Sequence, residues 1–233
     1  MLALVNAQSP YGFADPALIA TYPQQAAKAV PGYHDVHTMA SVLLGERAPE
    51  DARVLVLGAG GGLETKALAT AHPDWTFLAV DPSAAMLDLA MTTLGPLASR
   101  MSVHQGFVDD APDGPFDAAT ALLLLHLIDR DERLRTLADV HRRLRPSAPL
   151  VVMHVSYPQG DPAERELWLS RHEAYLVASG VESAHVKKAR TMLREHMPAL
   201  NPGEDRAVLE EAGFTGVTQF FSAFTFRGWI GYA

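Results

Sequence analysis

With 233 residues, of which 48% are hydrophobic and 20% charged, the chain has an ordinary globular balance and enough length for one well-filled core. Its formal charge of −8 comes without any long basic run, which argues against direct contact with a nucleic-acid backbone; no stretch approaches the ~20 apolar residues of a membrane span, residues 1–12 lack the pattern of a signal peptide, and the expected location is the cytoplasm. The absence of cysteine removes disulfides and thiolate chemistry, and the ten histidines show no tight metal-ligand spacing, so no metal is expected.

In chain order, two helices come first: Pro16 to Ala29 and, after Val30-Pro31-Gly32, Tyr33 to about Leu44. Val54 to Leu57 is too short for a helix and rich in branched residues, which predicts a strand buried on both faces of a parallel sheet. Gly58, Gly60, Gly61 and Gly62 follow, where the backbone can turn sharply and approach a ligand. The helix opening near Gly62 points its first amides back at that ligand. Trp75 to Asp81 reads as a second strand ending in an acid. That carboxylate, roughly 20 residues after Gly60, is placed to accept hydrogen bonds from vicinal ribose hydroxyls. Turn and acid together describe one adenosine-binding crevice.

Further on, Asp117 follows Pro-Phe and is expected to cap or pair locally, and Leu122 to Leu125 read as core. His126 reads as a partly buried, hydrogen-bonded histidine near the mouth of the site. Asp161-Pro162 is a good helix start, after which Trp168, His172, Tyr175 and Leu176 recur at helical spacing. A second helix is predicted from about Glu182 to Met197, ended by Pro198 and Asn201-Pro202-Gly203. Phe220, Phe221, Phe224, Phe226 and Trp229 make the C-terminal region heavily aromatic, for packing against helices or as part of a homodimer surface.

The glycine spacing selects among nucleoside cofactors. A dinucleotide fingerprint, G-x-G-x-x-G, fails in both registers, because its third position falls on Leu63 or Thr65; nor does a G-K-[ST] follow. What remains is G-x-G-x-G at 58, 60 and 62, in which the chain resembles the class I S-adenosylmethionine-dependent methyltransferases. Asp81-Pro82-Ser83-Ala84-Ala85-Met86-Leu87 resembles that family's acid, turn and helix, and Val103 to Val108 its third strand and tip. Pro115 to Leu122 resembles the fourth strand, Leu144-Arg145-Pro146 with Leu150 to His154 the helix end and fifth strand, and Glu211 to Phe221 the last helix and sixth strand. The resemblance implies an α/β fold: a Rossmann-like, doubly wound, seven-stranded, mostly parallel sheet with helical lid segments and a final antiparallel hairpin over Phe214 to Tyr232. It also implies a single methyltransferase domain, with an N-terminal helical cap over 1–47, a cofactor-binding core over 48–160, a lid insertion over 161–202 and a C-terminal helix and hairpin over 203–233. The implied cofactor is S-adenosylmethionine, with S-adenosylhomocysteine as product. Tyr33, Gly58, Ala59, Gly60, Asp81, Pro82, Met86, Phe107, Val108 and Leu122 are the residues expected to hold it. Where the family often has an acid for the adenine amino group this chain has Phe107, so the ring is expected to be gripped by stacking and backbone groups.

A narrower resemblance is to the carboxy-S-adenosylmethionine synthase family. It rests on Val30-Pro31-Gly32-Tyr33, the Leu-Leu-Gly-Glu-Arg stretch ending at Arg47, and Lys188-Ala189-Arg190-Thr191-Met192-Leu193. It implies that Tyr33 contacts the cofactor and that Arg190 binds an extra carboxylate on the cofactor's methyl carbon, a task suited to a planar, permanently charged guanidinium; a surface salt bridge is the other role open to Arg190. The chain departs from that family in its glycine loop, at Phe107 and at Leu122, which point to a relative with a different substrate. The expected activity is methyl transfer to a small-molecule acceptor by in-line displacement. A carboxylated-cofactor enzyme and a non-catalytic S-adenosylmethionine-binding protein stand as alternatives. No catalytic residue is assigned; His126, His154 and His172 are the candidate proton acceptors, and Tyr11, Tyr22, Tyr33, Trp168 and Tyr175 the aromatic residues available to surround a sulfonium.

Overall fold

The computed structural model describes residues 16–233. Tyr11 lies outside the described residues, as does the side chain of Tyr22. Two helices, α1 (Pro16–Ala29) and α2 (Tyr33–Gly45), precede the first strand, β1 (Arg53–Leu57), and then helix and strand alternate: α3 (Leu63–Ala71), β2 (Thr76–Asp81), α4 (Ala84–Leu94), β3 (Met101–Gln105), β4 (Ala118–Leu122), α5 (Arg130–His141) and β5 (Pro149–Val155). Helices α6 (Pro162–Ala178), α7 (Ser183–Thr191) and α8 (Pro202–Glu211) lead into the hairpin β6 (Thr215–Ala223) and β7 (Phe226–Tyr232).

The seven strands form one sheet in the order β3-β2-β1-β4-β5-β7-β6. Strands β1 to β5 are parallel to their neighbours, and β7 runs antiparallel to both β5 and β6. Side chains alternate across such a sheet, and the apolar runs of the central strands are therefore buried on both faces. Val54 and Val56 join Leu44, Leu68, Leu87 and Leu169 in one core, under α2, α3, α4 and α6. Leu55 and Leu57 join Leu137, Val140, Val208 and Leu209 in the other, under α5 and α8. This is the doubly wound, Rossmann-like architecture. Strand order reverses between β1 and β4, and the crevice at that switch point lies outside the carboxyl ends of the strands.

Helix starts follow local chemistry. Ser83 Oγ accepts from the Met86 amide at the start of α4, Asp129 from that of Glu132 at α5, and Asp161 from that of Ala163 at α6. At α8, Asn201 and Glu204 cap reciprocally. The sequence predicts one helix over Glu182 to Met197; α7 instead gives way to a π turn, Met192–His196, closed by the Met197 amide on the Met192 carbonyl at 3.0 Å. The wider turn carries Leu193 into the core while Arg194 stays at the surface. No helix among the described residues is long and apolar enough to cross a membrane.

Gly62 opens α3 at φ 78°. A Cβ there would lie 2.7 Å from the Ala90 Cα on α4, so only glycine lets the two helices meet. We expect Gly62→Ala to cost on the order of 2–4 kcal/mol by adding overpacking to a left-handed backbone; a melting curve that matches the parent's would contradict this.

Candidate functional site

The carboxyl ends of β1, β2 and β4 and the turn after β3 surround a cleft with two lobes. One lobe is lined by Gly58, Gly60, Asp81, Pro82, Met86, Phe107, Val108, Leu122 to Leu124, Leu127, Ile128 and Thr136. The other lies beneath the glycine loop and is lined by Tyr33, His37, residues 58–62, Leu63, Glu64, Leu122 and Leu123. Gly58, Gly60, Leu122 and Leu123 belong to both, which makes the lobes two ends of one trough.

Asp81 ties the loops together. Its Oδ2 accepts from the Gly60 amide at 3.0 Å and its Oδ1 from the Ser83 amide at 2.9 Å, and the side chain is buried yet lines the first lobe. Burial pushes its carboxyl up from the ordinary value, and the two amide bonds oppose that shift. Each oxygen has a further lone pair for a hydroxyl donor. The glycine loop is pinned from below, where the Gly58 amide donates to the Val80 carbonyl at 2.8 Å. Gly58 has φ 63°, and a Cβ on it would sit 3.2 Å from the Leu124 side chain, so a larger residue there would strain the backbone and push Leu124 back from the loop.

Opposite, Leu123 takes φ 59°. Leucine rarely adopts that left-handed conformation, and strain of this kind clusters at binding sites. Its amide is held by the Met153 carbonyl. The Phe107 amide donates to Asp110 Oδ1 at 3.0 Å, and His104 Nε2 lies 2.9 Å from the same oxygen, which fixes the turn carrying Phe107 into the lobe.

The structure thus brings Tyr33, Gly58, Ala59, Gly60, Asp81, Pro82, Met86, Phe107, Val108 and Leu122 to one trough. Arg190 is not among the lining residues. Its guanidinium bridges Glu166 and Glu173 on α6, clamping α7 to α6. Asp117 is structural, as expected, but its partners are not local: its carboxylate accepts from the Arg53 amide and from Arg145 Nε, 64 residues before it and 28 after it. None of the three candidate proton acceptors lines the trough. His126 accepts from the Val155 amide at 3.4 Å, His154 lies 3.1 Å from Asp205 in the core under α8, and His172 packs on Phe226 at 5.5 Å between ring centroids. Burial lowers the pKa of all three. Trp168 and Tyr175 do not line the trough either; Trp168 carries Arg171 over its ring and Tyr175 packs beside Phe224.

Three polar lining residues escape the sequence reading: Thr136 in the first lobe and His37 and Glu64 in the second. His37 stands one helical turn after Tyr33, with ring centroids 4.7 Å apart, and burial with the nearby His34 lowers its pKa to about 4. The (i, i+4) spacing from Tyr33 was the available signal. Glu64 sits in the first turn of α3, where an acid reads as a favourable helix-start residue rather than as part of a site.

The description "Methyltransferase domain" belongs to the family model that matches residues 54–147. The carboxy-S-adenosyl-L-methionine synthase of Actinobacillus succinogenes is 25% identical over 210 residues, covering 88% of this chain and 86% of that protein. Among solved structures, an O-methyltransferase family protein from Burkholderia thailandensis superposes with a TM-score of 0.70 at 18% identity, over 97% of this chain and 62% of that one. An O-methyltransferase family 2 protein from Planctomyces limnophilus, solved with apigenin, gives 0.65 at 18% identity over 100% and 67%. The chain spans about three fifths of the length of the first of these two, and at such identities they share the fold. Strand order and family match agree: residues 54–147 match a methyltransferase domain within a sheet of the doubly wound methyltransferase type, and distant relatives named carboxy-S-adenosyl-L-methionine synthases align along most of the chain.

Proposed function

We propose that the protein binds S-adenosylmethionine in the two-lobed trough and transfers its methyl group to a small-molecule acceptor, releasing S-adenosylhomocysteine. The observation that carries this reading is the pairing of Asp81 with the glycine loop: a buried carboxylate with lone pairs to spare, locked to the Gly60 amide, at the carboxyl end of β2. The adenosine end fits the first lobe, with the ribose on Asp81 and the base between Pro82, Met86, Phe107 and Val108. The amino-acid end then extends under the glycine loop toward Tyr33 and His37. When bound, the cofactor supplies a methyl carbon made electrophilic by its sulfonium.

Tyr33, largely buried, offers an aromatic face to a cation in the second lobe. The apolar wall of Leu122, Leu123, Leu124, Leu127 and Ile128 excludes water, which strengthens every polar contact inside. Holding a nucleophile in line at about 3 Å from the methyl carbon is worth ~7–11 kcal/mol, so a dedicated base is optional. His37, with a pKa near 4, stands neutral at pH 7 and serves as a hydrogen-bonding group rather than a matched base. The apigenin bound to the Planctomyces protein and this chain's net charge of −8 favour a small molecule over nucleic acid as acceptor.

The second reading, a carboxylated cofactor, is favoured by the relatives that cover most of the chain. It requires a cation facing the methyl group, and Arg190 is instead engaged by two glutamates. Turnover of S-adenosylmethionine to S-adenosylhomocysteine, assayed with small hydroxyl and amine acceptors, tests the first reading. Mass spectrometry of the ligand released on denaturation tests the second. We expect an unmodified adenosyl ligand and unchanged cofactor affinity in Arg190→Ala; an extra carboxylate on the methyl carbon, lost in that variant, would reverse the assignment.

A further inference from the structure

Glu64 is an oddity of the trough. It is buried, lines the lobe beneath the glycine loop, and its Oε1 has no hydrogen-bond partner; the nearby Thr120 and Thr65 hydroxyls are likewise unpaired by well-formed bonds. No salt bridge reaches Glu64 among the described residues. The groups around it supply no counter-charge: Tyr33 and His37 face the same lobe from α2, β4 offers only the neutral Thr120, and α4 packs on the helix start through Ala90. Lys66 is exposed, and Arg100 is spent at the far end of α3 on the carbonyls of Ala69 and His72. Asp81, across Gly60, is itself an acid.

A buried carboxylate with one oxygen unpaired and no counter-charge is costly. Such a group is tolerated where a ligand completes it. Resting on the cofactor reading above, we propose that Glu64 is a cation receptor for the amino-acid end of the cofactor: its carboxylate pairs with the ligand's α-ammonium beneath the glycine loop, so that binding expels a proton and selects ligands that carry that charge. The first turn of α3 favours the ionised form that the ammonium needs.

Burial pushes the Glu64 carboxyl up from 4.5 to about 8, the Thr120 hydroxyl offsetting part of the shift. A raised acid stabilises the empty protein fully below pH 4.5, and the contribution is lost as pH rises toward 8. Glu64→Gln therefore keeps the neutral shape, and it should melt higher than the parent at pH 8 with little difference at pH 4.5.

The deciding experiment is calorimetric titration of the parent and Glu64→Gln with two probes: S-adenosylhomocysteine, and 5′-methylthioadenosine, which has the same adenosyl thioether without the amino-acid end. We expect the substitution to weaken S-adenosylhomocysteine by roughly tenfold or more while leaving methylthioadenosine unchanged. In the parent, S-adenosylhomocysteine affinity should rise more than about tenfold from pH 6 to pH 8, with a heat that depends on the buffer's ionisation enthalpy. Methylthioadenosine should show neither effect. It keeps the ribose contact, so any titration of Asp81 is common to both probes, and His37 has already lost its proton by pH 6. Equal binding of S-adenosylhomocysteine by parent and variant, or equal loss of both probes in the variant, overturns the proposal. So does a parent whose S-adenosylhomocysteine binding shows no proton release, a readout that needs no variant. If neither probe binds the parent, the cofactor reading falls and this inference with it.

Discussion

Asp81→Ala is expected to weaken S-adenosylhomocysteine binding by roughly 100-fold or more, because on the proposed reading it removes two charge-assisted hydrogen bonds to ribose, each worth about 1.5–3 kcal/mol. The carboxylate has a second task that enlarges the effect. Its oxygens hold the Gly60 and Ser83 amides, one on each side of the first lobe, so its removal also frees the glycine loop from the turn that starts α4. Asp81→Asn keeps the size and one acceptor oxygen but replaces the other with a donor facing a backbone amide, and should fall between the two. Isothermal titration together with circular dichroism checks the claim: affinity lost with secondary structure intact is expected, and undiminished affinity in Asp81→Ala would remove the ribose role.

Asp205→Ala should produce the largest loss of stability, about 3–5 kcal/mol, by leaving a buried guanidinium without its counter-ion. Arg133 on α5 pairs with Asp205 on α8, and both side chains are about 1% exposed. Arg133 also donates to the Pro198 carbonyl at 3.2 Å, and His154 Nε2 reaches the same Asp205 oxygen at 3.1 Å. One carboxylate therefore joins α5, α8 and β5 beneath the sheet. Burial alone would raise its pKa, but His154 and Arg133 outweigh it and hold Asp205 below the usual carboxylate value. A lowered acid contributes stability that is present above pH 3.8 and lost as the pH falls below it. Because the desolvation of a buried pair offsets much of its attraction, the double replacement Arg133→Met with Asp205→Leu should cost less than Asp205→Ala alone. Urea unfolding of the three variants measures this; an Asp205→Ala midpoint equal to the parent's would show that the buried charge finds another partner.

The parts of the site written in local rules were legible in the sequence. Period and composition locate β1 and β2, and glycines at positions where φ is positive mark the loop; these rules act over a few residues and survive folding. The terminal acid of β2 follows from the same logic. What escaped depends on tertiary placement. Glu64 reads as a helix-start acid until α2 and β4 close over it, and no local signal says that its carboxylate turns inward. Leu123 carries no mark of its left-handed backbone. Arg190 meets glutamates 24 and 17 residues earlier in the chain, on a helix whose packing against α7 the sequence does not specify. His126 is the buried, hydrogen-bonded histidine that the sequence suggests, whereas its placement away from the trough, like that of His154 beside Asp205, depends on tertiary packing that no local signal carries. The π turn after α7 likewise follows from how Leu193 seats in the core.

The central claim, that the trough is an adenosyl-cofactor site, is tested most directly by titrating the purified protein with S-adenosylmethionine and S-adenosylhomocysteine in a calorimeter. Micromolar, one-to-one binding of both is the predicted result. No measurable heat and no affinity below millimolar, in protein whose fold is intact, would contradict it and leave the glycine loop as a turn between a strand and a helix.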